Sequence, residues 1–262
     1  MPLKRSCVVS CSAGFHCALI VSCLLGVGCQ KSLTTVSETE PAADATKSPL
    51  VSAEGLLGHW KFDGDLSDSS PHGHKGEPIG DPEFSGGKVG QAIQLDGRSQ
   101  SVEIPQLAAD VTQFTLAFWM YVDAMPSPQT YVAIYHNNGW EAGDVHLPFT
   151  SADGTVDLGI KGNEPDMSIP TFKVTEMQQR WVHMAVSYDA AESKQVRFYV
   201  DGDLTDTFEI ETAHPVQLGP GRIGGWDAQE RWFLGRLDEV YFFDRVLGAA
   251  DVAALFAQGE AN

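Results

Sequence analysis

The sequence predicts an all-β fold: two antiparallel sheets packed face to face as a jelly-roll sandwich, with a short C-terminal helix. Three observations carry this prediction. Short apolar or alternating runs are separated by turn residues, which the chain holds in quantity, with 26 Gly and 14 Pro in 262 residues. The longest runs, residues 114–122 and 181–188, are apolar on both faces, as strands covered on both sides must be. No long helical pattern separates the strands, which argues against parallel sheets built from β-α-β units.

The elements follow in order. Residues 30–54 contain Ser, Thr, Ala, Pro and Glu but no aromatic residue, so they cannot bury a core and read as a flexible tether. After the tether, aromatic residues reappear at Trp60 and Phe62, which places the folded domain at 55–262. Ser101-Val102-Glu103-Ile104 alternates polar and apolar residues and stops at Pro105. In 114–122, Phe114, Leu116, Phe118, Met120 and Val122 share one face, and Ala117, Trp119 and Tyr121 share the other. Residues 181–188 form a second long strand, with His183 read as a core histidine. Residues 196–200 meet Asp201-Gly202 and return through Asp203 to Ile210, the strongest short hairpin signal in the chain. Residues 237–243 form a last strand. Val252, Leu255 and Phe256 then recur at helical spacing, in a helix expected to stop before Gly259.

In this order the segments resemble the LamG-like jelly-roll family of the concanavalin A-like lectin/glucanase fold. Gly58-His59-Trp60-Lys61-Phe62-Asp63-Gly64 resembles its first strand, and Asp68-Ser69-Ser70-Pro71-His72-Gly73-His74-Lys75-Gly76 the loop that follows. Gly87-Lys88-Val89-Gly90-Gln91-Ala92-Ile93-Gln94-Leu95-Asp96-Gly97 resembles the second strand, and Gly235-Arg236-Leu237-Asp238-Glu239-Val240 the closing one. The resemblance covers 56–258. It implies a mostly non-enzymatic module of extracellular or cell-surface proteins that binds sugar or protein, often with a structural Ca²⁺.

The N-terminus reads as an export signal over residues 1–28. Lys4 and Arg5 precede an apolar stretch, residues 15–28, that is too short to span a bilayer, which needs about 20 residues. Leu25-Gly26-Val27-Gly28-Cys29 resembles a bacterial lipoprotein processing site, with Cys29 the lipidated residue and 29–54 the tether. Two outcomes stay open: a lipid-anchored envelope protein, with the outer membrane favoured, and a free secreted form. All five cysteines lie within the first 29 residues, so the domain has no disulfide framework and no thiol chemistry. The net charge of −18 makes nucleic acid a poor partner.

Candidate sites come from chemistry. Ca²⁺ takes six to eight oxygen ligands. The jelly roll sets its first and last strands side by side, which the resemblance takes to place Asp63 near Asp238, with Asp96 completing a set. The alternative is that all three cap turns. Sugars present flat apolar faces and hydroxyl rims, so binders pair exposed aromatics with polar side chains. Two segments have that chemistry: His136-Asn137-Asn138-Gly139-Trp140-Glu141 and Gly225-Trp226-Asp227-Ala228-Gln229-Glu230-Arg231-Trp232. They give Trp140, Trp226, Trp232, Asn137 and Arg231 as ligand-binding candidates, against a reading in which the tryptophans cover the core. Trp60, Trp119 and Trp181 lie within strands and are assigned to packing. A glycosidase needs two carboxylates flanking the scissile bond. The nearest mimic, Glu209-Ile210-Glu211, reads as a solvated outer strand. No Gly-x-Ser-x-Gly, His-Glu-x-x-His or phosphate-binding Gly-rich motif is present. The expected function is a non-catalytic, carbohydrate-binding envelope module. A protein-interaction module and a polysaccharide hydrolase of the same fold are the alternatives.

Overall fold

The strands form because period-2 apolar patterns from distant parts of the chain can cover one another only as two stacked sheets. The computed structural model of the protein describes residues 51–125, 131–150, 154–163, 167–173 and 178–261. The expected export signal, Cys29 and the expected tether up to residue 50 lie outside the described residues.

Among the described residues, one sheet has eight strands and the other seven. The first runs, in spatial order, Asp203–Glu209, Gln195–Val200, Trp181–Asp189, Gln113–Val122, Leu234–Phe243, Gln91–Asp96 and Glu83–Gly86, and Leu56–Trp60 also pairs with Leu234–Phe243. The second runs Met167–Lys173, Thr155–Ile160, Val145–Thr150, Tyr131–Asn137, Gly221–Ile223, Ser101–Ile104 and Glu77–Ile79. Among the described residues the strand pairings within these sheets are antiparallel, with Val186 opposite Leu116 and Tyr241 opposite both His59 and Ala117. Strands distant in sequence are thus neighbours, as a jelly roll requires.

The main core lies between the sheets. Leu116, Phe118, Met120, Val182, Met184, Val186 and Phe242 from the first meet Val132, Tyr135, Leu147, Phe149, Val156 and Leu158 from the second. Tyr135 packs edge-on against Phe242 with ring centroids 5.0 Å apart, joining the two layers. Each such large side chain contributes roughly 1.5–3 kcal/mol by leaving water.

A second cluster lies on the outer face of the eight-stranded sheet. Ala117, Ala185, Tyr199 and Phe243 are covered there by Leu247 and by Val252 and Leu255 of the helix Ala249–Glu260. This explains why residues 114–122 are apolar on both faces.

Two expectations change in detail. The helix does not stop before Gly259 but continues through it to Glu260. Gly259 instead permits close packing, since a Cβ there would lie 2.5 Å from Nε1 of Trp119. The Asp201-Gly202 hairpin has both central residues at positive φ, 49° and 85°, the backbone that this dipeptide supplies.

Candidate functional site

The outer face of the seven-stranded sheet carries an aromatic stack. In Val145–Thr150 the apolar side chains Val145, Leu147 and Phe149 enter the core, and alternation turns His146 outward. His136 lies directly opposite it on Tyr131–Asn137. The two imidazoles stack with centroids 4.1 Å apart and planes 15° apart. Trp226 meets His146 edge-on at 4.7 Å, and Trp140 lies against His146 at 4.4 Å. Trp140 is the outer end of the stack and is 37% exposed, whereas Trp226 is only 7% exposed.

The loop bearing Trp140 is held from several sides. Oδ2 of Asp144 accepts the Glu141 N–H at 2.7 Å, and the Asp144 N–H donates to the Glu141 carbonyl at 2.9 Å. The Gly143 N–H donates to the Lys161 carbonyl at 2.9 Å, and the Lys161 N–H to the Asp144 carbonyl at 3.1 Å. The Trp226 indole N–H donates to the Asn138 carbonyl at 3.1 Å, and Nε2 of His146 donates to the Gly139 carbonyl at 2.8 Å. A carbonyl only accepts, so the His146 proton sits on Nε2. Gly159 lies beneath the indole, where a Cβ would come within 3.2 Å of it, and Nζ of Lys161 stands 5.7 Å from its ring centre. The exposed ring is therefore fixed in place before any ligand arrives, which lowers the ordering cost of binding.

The electrostatics keep this stack neutral. Burial pushes His146 down to about 4, opposed by the Gly139 hydrogen bond and helped by the positive Arg231. Burial holds His136 well below the usual histidine range, with His146 and Arg231 adding to the effect. Neither ring nitrogen of His136 has a hydrogen-bond partner. The Arg231 guanidinium lies 4.8 Å from both the Trp226 and Tyr131 ring centres.

The sequence candidates divide accordingly. Trp140 is presented to solvent. Arg231 and Trp232 are partly exposed at the neighbouring strand Arg231–Trp232. Trp226 supports the site from within. Asn137 is buried, where Oδ1 accepts the Val145 N–H at 3.0 Å and Nδ2 donates to the Gly219 carbonyl, so it ties strands together instead of facing a ligand. Glu209 and Glu211 are exposed, as expected for an outer strand. His146 and Asp144 escaped the sequence reading, although the alternation in Val145-His146-Leu147-Pro148-Phe149 marks His146 as the outward residue.

Among the described residues, the three aspartates are not gathered into one donor set. Asp63 accepts the Gln91 N–H at 2.8 Å, and Oδ2 of Asp238 accepts the Lys88 and Val89 N–H groups at 2.8 and 2.9 Å. Both thus hold the connection between Glu83–Gly86 and Gln91–Asp96. Asp96 caps its own turn, accepting the Arg98, Ser99 and Gln100 N–H groups on Oδ1. The described residues contain no group of three or more His, Cys, Asp or Glu side chains placed to hold a metal ion. Carboxylates separately engaged with backbone donors do not fit an ion that needs six to eight oxygens at one point.

The laminin G family profile of the concanavalin A-like lectin/glucanases superfamily matches residues 96–253. No curated protein matches the chain in sequence. Domain 4 of AbnA, a GH43 extracellular arabinanase from Geobacillus stearothermophilus solved with arabinotriose, superposes with a TM-score of 0.62 at 21% identity, over 76% of this chain and 97% of that one. The binding domain of botulinum neurotoxin serotype D/C superposes with a TM-score of 0.63 at 14% identity, over 78% and 52%. A botulinum neurotoxin type C structure, from a protein whose cell entry depends on two ganglioside molecules, gives 0.62 at 14%, over 78% and 51%. The chain spans about half the length of these toxin chains. At such identities the likeness is one of fold.

Proposed function

Given that the chain belongs to the concanavalin A-like lectin/glucanases superfamily, we propose that it is a non-catalytic carbohydrate-binding module of the cell envelope that uses Trp140 as its sugar platform. The observation that carries this reading is the exposed indole of Trp140 at the end of a rigid stack, beside Lys161. An indole face takes the apolar face of a sugar ring. The partly exposed Arg231 and Trp232 extend the polar and aromatic rim.

Arabinotriose on the arabinanase domain and gangliosides on the type C toxin support a glycan as the ligand class. Two of the acids near the platform are already engaged. Asp144 is engaged by its own loop, and Glu103 lies 3.7 Å from the Arg222 guanidinium. These two acids are therefore not paired with each other as acid and base. Anchoring through Cys29 would hold the module at a membrane surface.

The test is a glycan panel containing arabino-oligosaccharides and sialylated glycans, read with the wild type and Trp140→Ala. Binding by the wild type that Trp140→Ala loses, with little change in melting temperature, supports the reading. No binding to any glycan favours a protein-interaction module, and hydrolysis of a panel member overturns the non-catalytic assignment.

A further inference from the structure

A cavity lies on the other side of the sandwich from Trp140, between the helix Ala249–Glu260 and the outer face of the eight-stranded sheet. Its volume is about 380 Å³, within the range of roughly 300–1,000 Å³ found for small-molecule sites. His59, Trp119, His183, Glu239 and Tyr241 line it from the sheet, and Gln258 from the helix. It shares no residue with the Trp140 stack.

The backbone at this cavity is unusual. The pairing of Leu234–Phe243 with Gln113–Val122 shifts register between Asp238 and Tyr241, and Glu239 takes a positive φ of 48°. A glutamate is rarely held there, and strain of this kind collects at functional sites. The bulge directs Glu239 into the cavity, where His59 and Tyr241 reach it. Nε2 of His59 lies 2.5 Å from Oε2 of Glu239, and the Tyr241 hydroxyl donates to the same oxygen at 2.7 Å. The His59 and Tyr241 rings stack at 3.8 Å.

We propose that this cavity is a second ligand site, independent of Trp140, that takes a small neutral polyhydroxylated molecule such as a single sugar ring or a polyol. Charge argues for a neutral ligand. Glu239 has the Lys61 charge nearby, and its Oε2 is contacted by His59 and by the Tyr241 hydroxyl. Lys88 pairs with Glu260 and lies 4.7 Å from the Trp119 ring centre. No charge in the cavity lacks an opposite, so an ion gains little there. Polarity argues for hydroxyls. His183 lines the cavity at 1% exposure, and its Nδ1 has no hydrogen-bond partner. A buried polar atom without a partner costs free energy that a ligand hydroxyl would recover. Trp119, Leu255 and the stacked His59–Tyr241 pair supply the apolar walls that a sugar ring needs on its faces.

The test is NMR on the full chain, titrated separately with D-glucose, D-galactose, L-arabinose and glycerol. The Trp119 indole N–H and the His183 ring resonances should shift saturably with at least one of them. The shift should persist in Trp140→Ala and weaken at least tenfold in His183→Phe. If His183→Phe fails to fold, His59→Ala serves: it removes the Glu239 partner and the ring stacked on Tyr241, and should weaken the shift to the same extent. No saturable shift with any probe overturns the proposal. So does a shift lost in Trp140→Ala, or a response to inorganic phosphate or methylammonium in place of the neutral probes.

Discussion

His136 and His146 stack face to face, 4.1 Å between ring centres, as a directly opposed cross-strand pair. Two protonated imidazoles could not share that geometry without strong repulsion. The stack beneath Trp140 therefore cannot hold both rings protonated, which ties the site to pH.

Acid should destabilise the domain in a defined window. His146 is pushed down to about 4 and His183 to about 3, both by burial, and His136 lies well below its usual value. The unfolded chain takes up these protons near pH 6.5 while the native one does not. Their contribution is therefore complete above about pH 6.5 and falls as the pH drops towards 4, by about 1.4 kcal/mol per unit of depression for each ring. His136→Phe keeps the ring and removes two unpartnered nitrogens. Urea unfolding at pH 7 and pH 5 should show the variant at least as stable as wild type at pH 7 and clearly more stable at pH 5.

Asp238 has the opposite sign. Burial raises it to about 7, with the Val89 N–H pulling the other way and the Glu239 charge adding to the rise. The native carboxyl keeps its proton where the unfolded one, near 3.8, has released it. Stability from this group is thus fully present at low pH and lost as the pH rises to about 7. Asp238→Asn can still accept the Lys88 and Val89 N–H groups. It should melt higher than wild type at pH 8, with the gap closing as the pH falls towards 4.

Gly259→Ala should lower stability by about 1–3 kcal/mol, the usual cost of overpacking. The new methyl would meet the Trp119 indole at 2.5 Å, and the ring, stacked on Phe256, has little room to move. An unchanged melting temperature would show that the helix shifts freely on the sheet.

EDTA should leave the melting temperature unchanged, because Asp63, Asp96 and Asp238 act as backbone caps. A drop that Ca²⁺ reverses would place a cation site outside the described residues or on donors not grouped among them.

Much of the fold was legible in the sequence. Residues 114–122 and 181–188 showed apolar faces on both sides, and these now face the main core and the helix-covered cluster. Asp201-Gly202 announced its hairpin because its φ requirement is local. Gly259 misled, because the same residue type ends helices and permits close approach, and only the position of Trp119 tells the two apart. The site was less legible. Trp140, Trp226 and Trp232 have the same chemistry in sequence, and their different exposures depend on which strands oppose them. Asn137 looked like a sugar-binding amide, but Val145 and Gly219, distant in the chain, claim its polar atoms. The strain at Glu239 arises from a register shift between strands, which no local pattern records.

The most direct test of the central claim is equilibrium binding of the best-bound glycan to wild type and Trp140→Ala. Tryptophan fluorescence or calorimetry would report it, with melting curves alongside. The account predicts at least tenfold weaker binding, about 1.4 kcal/mol or more, in a variant that remains folded. Equal affinity of the two proteins for that glycan would contradict it.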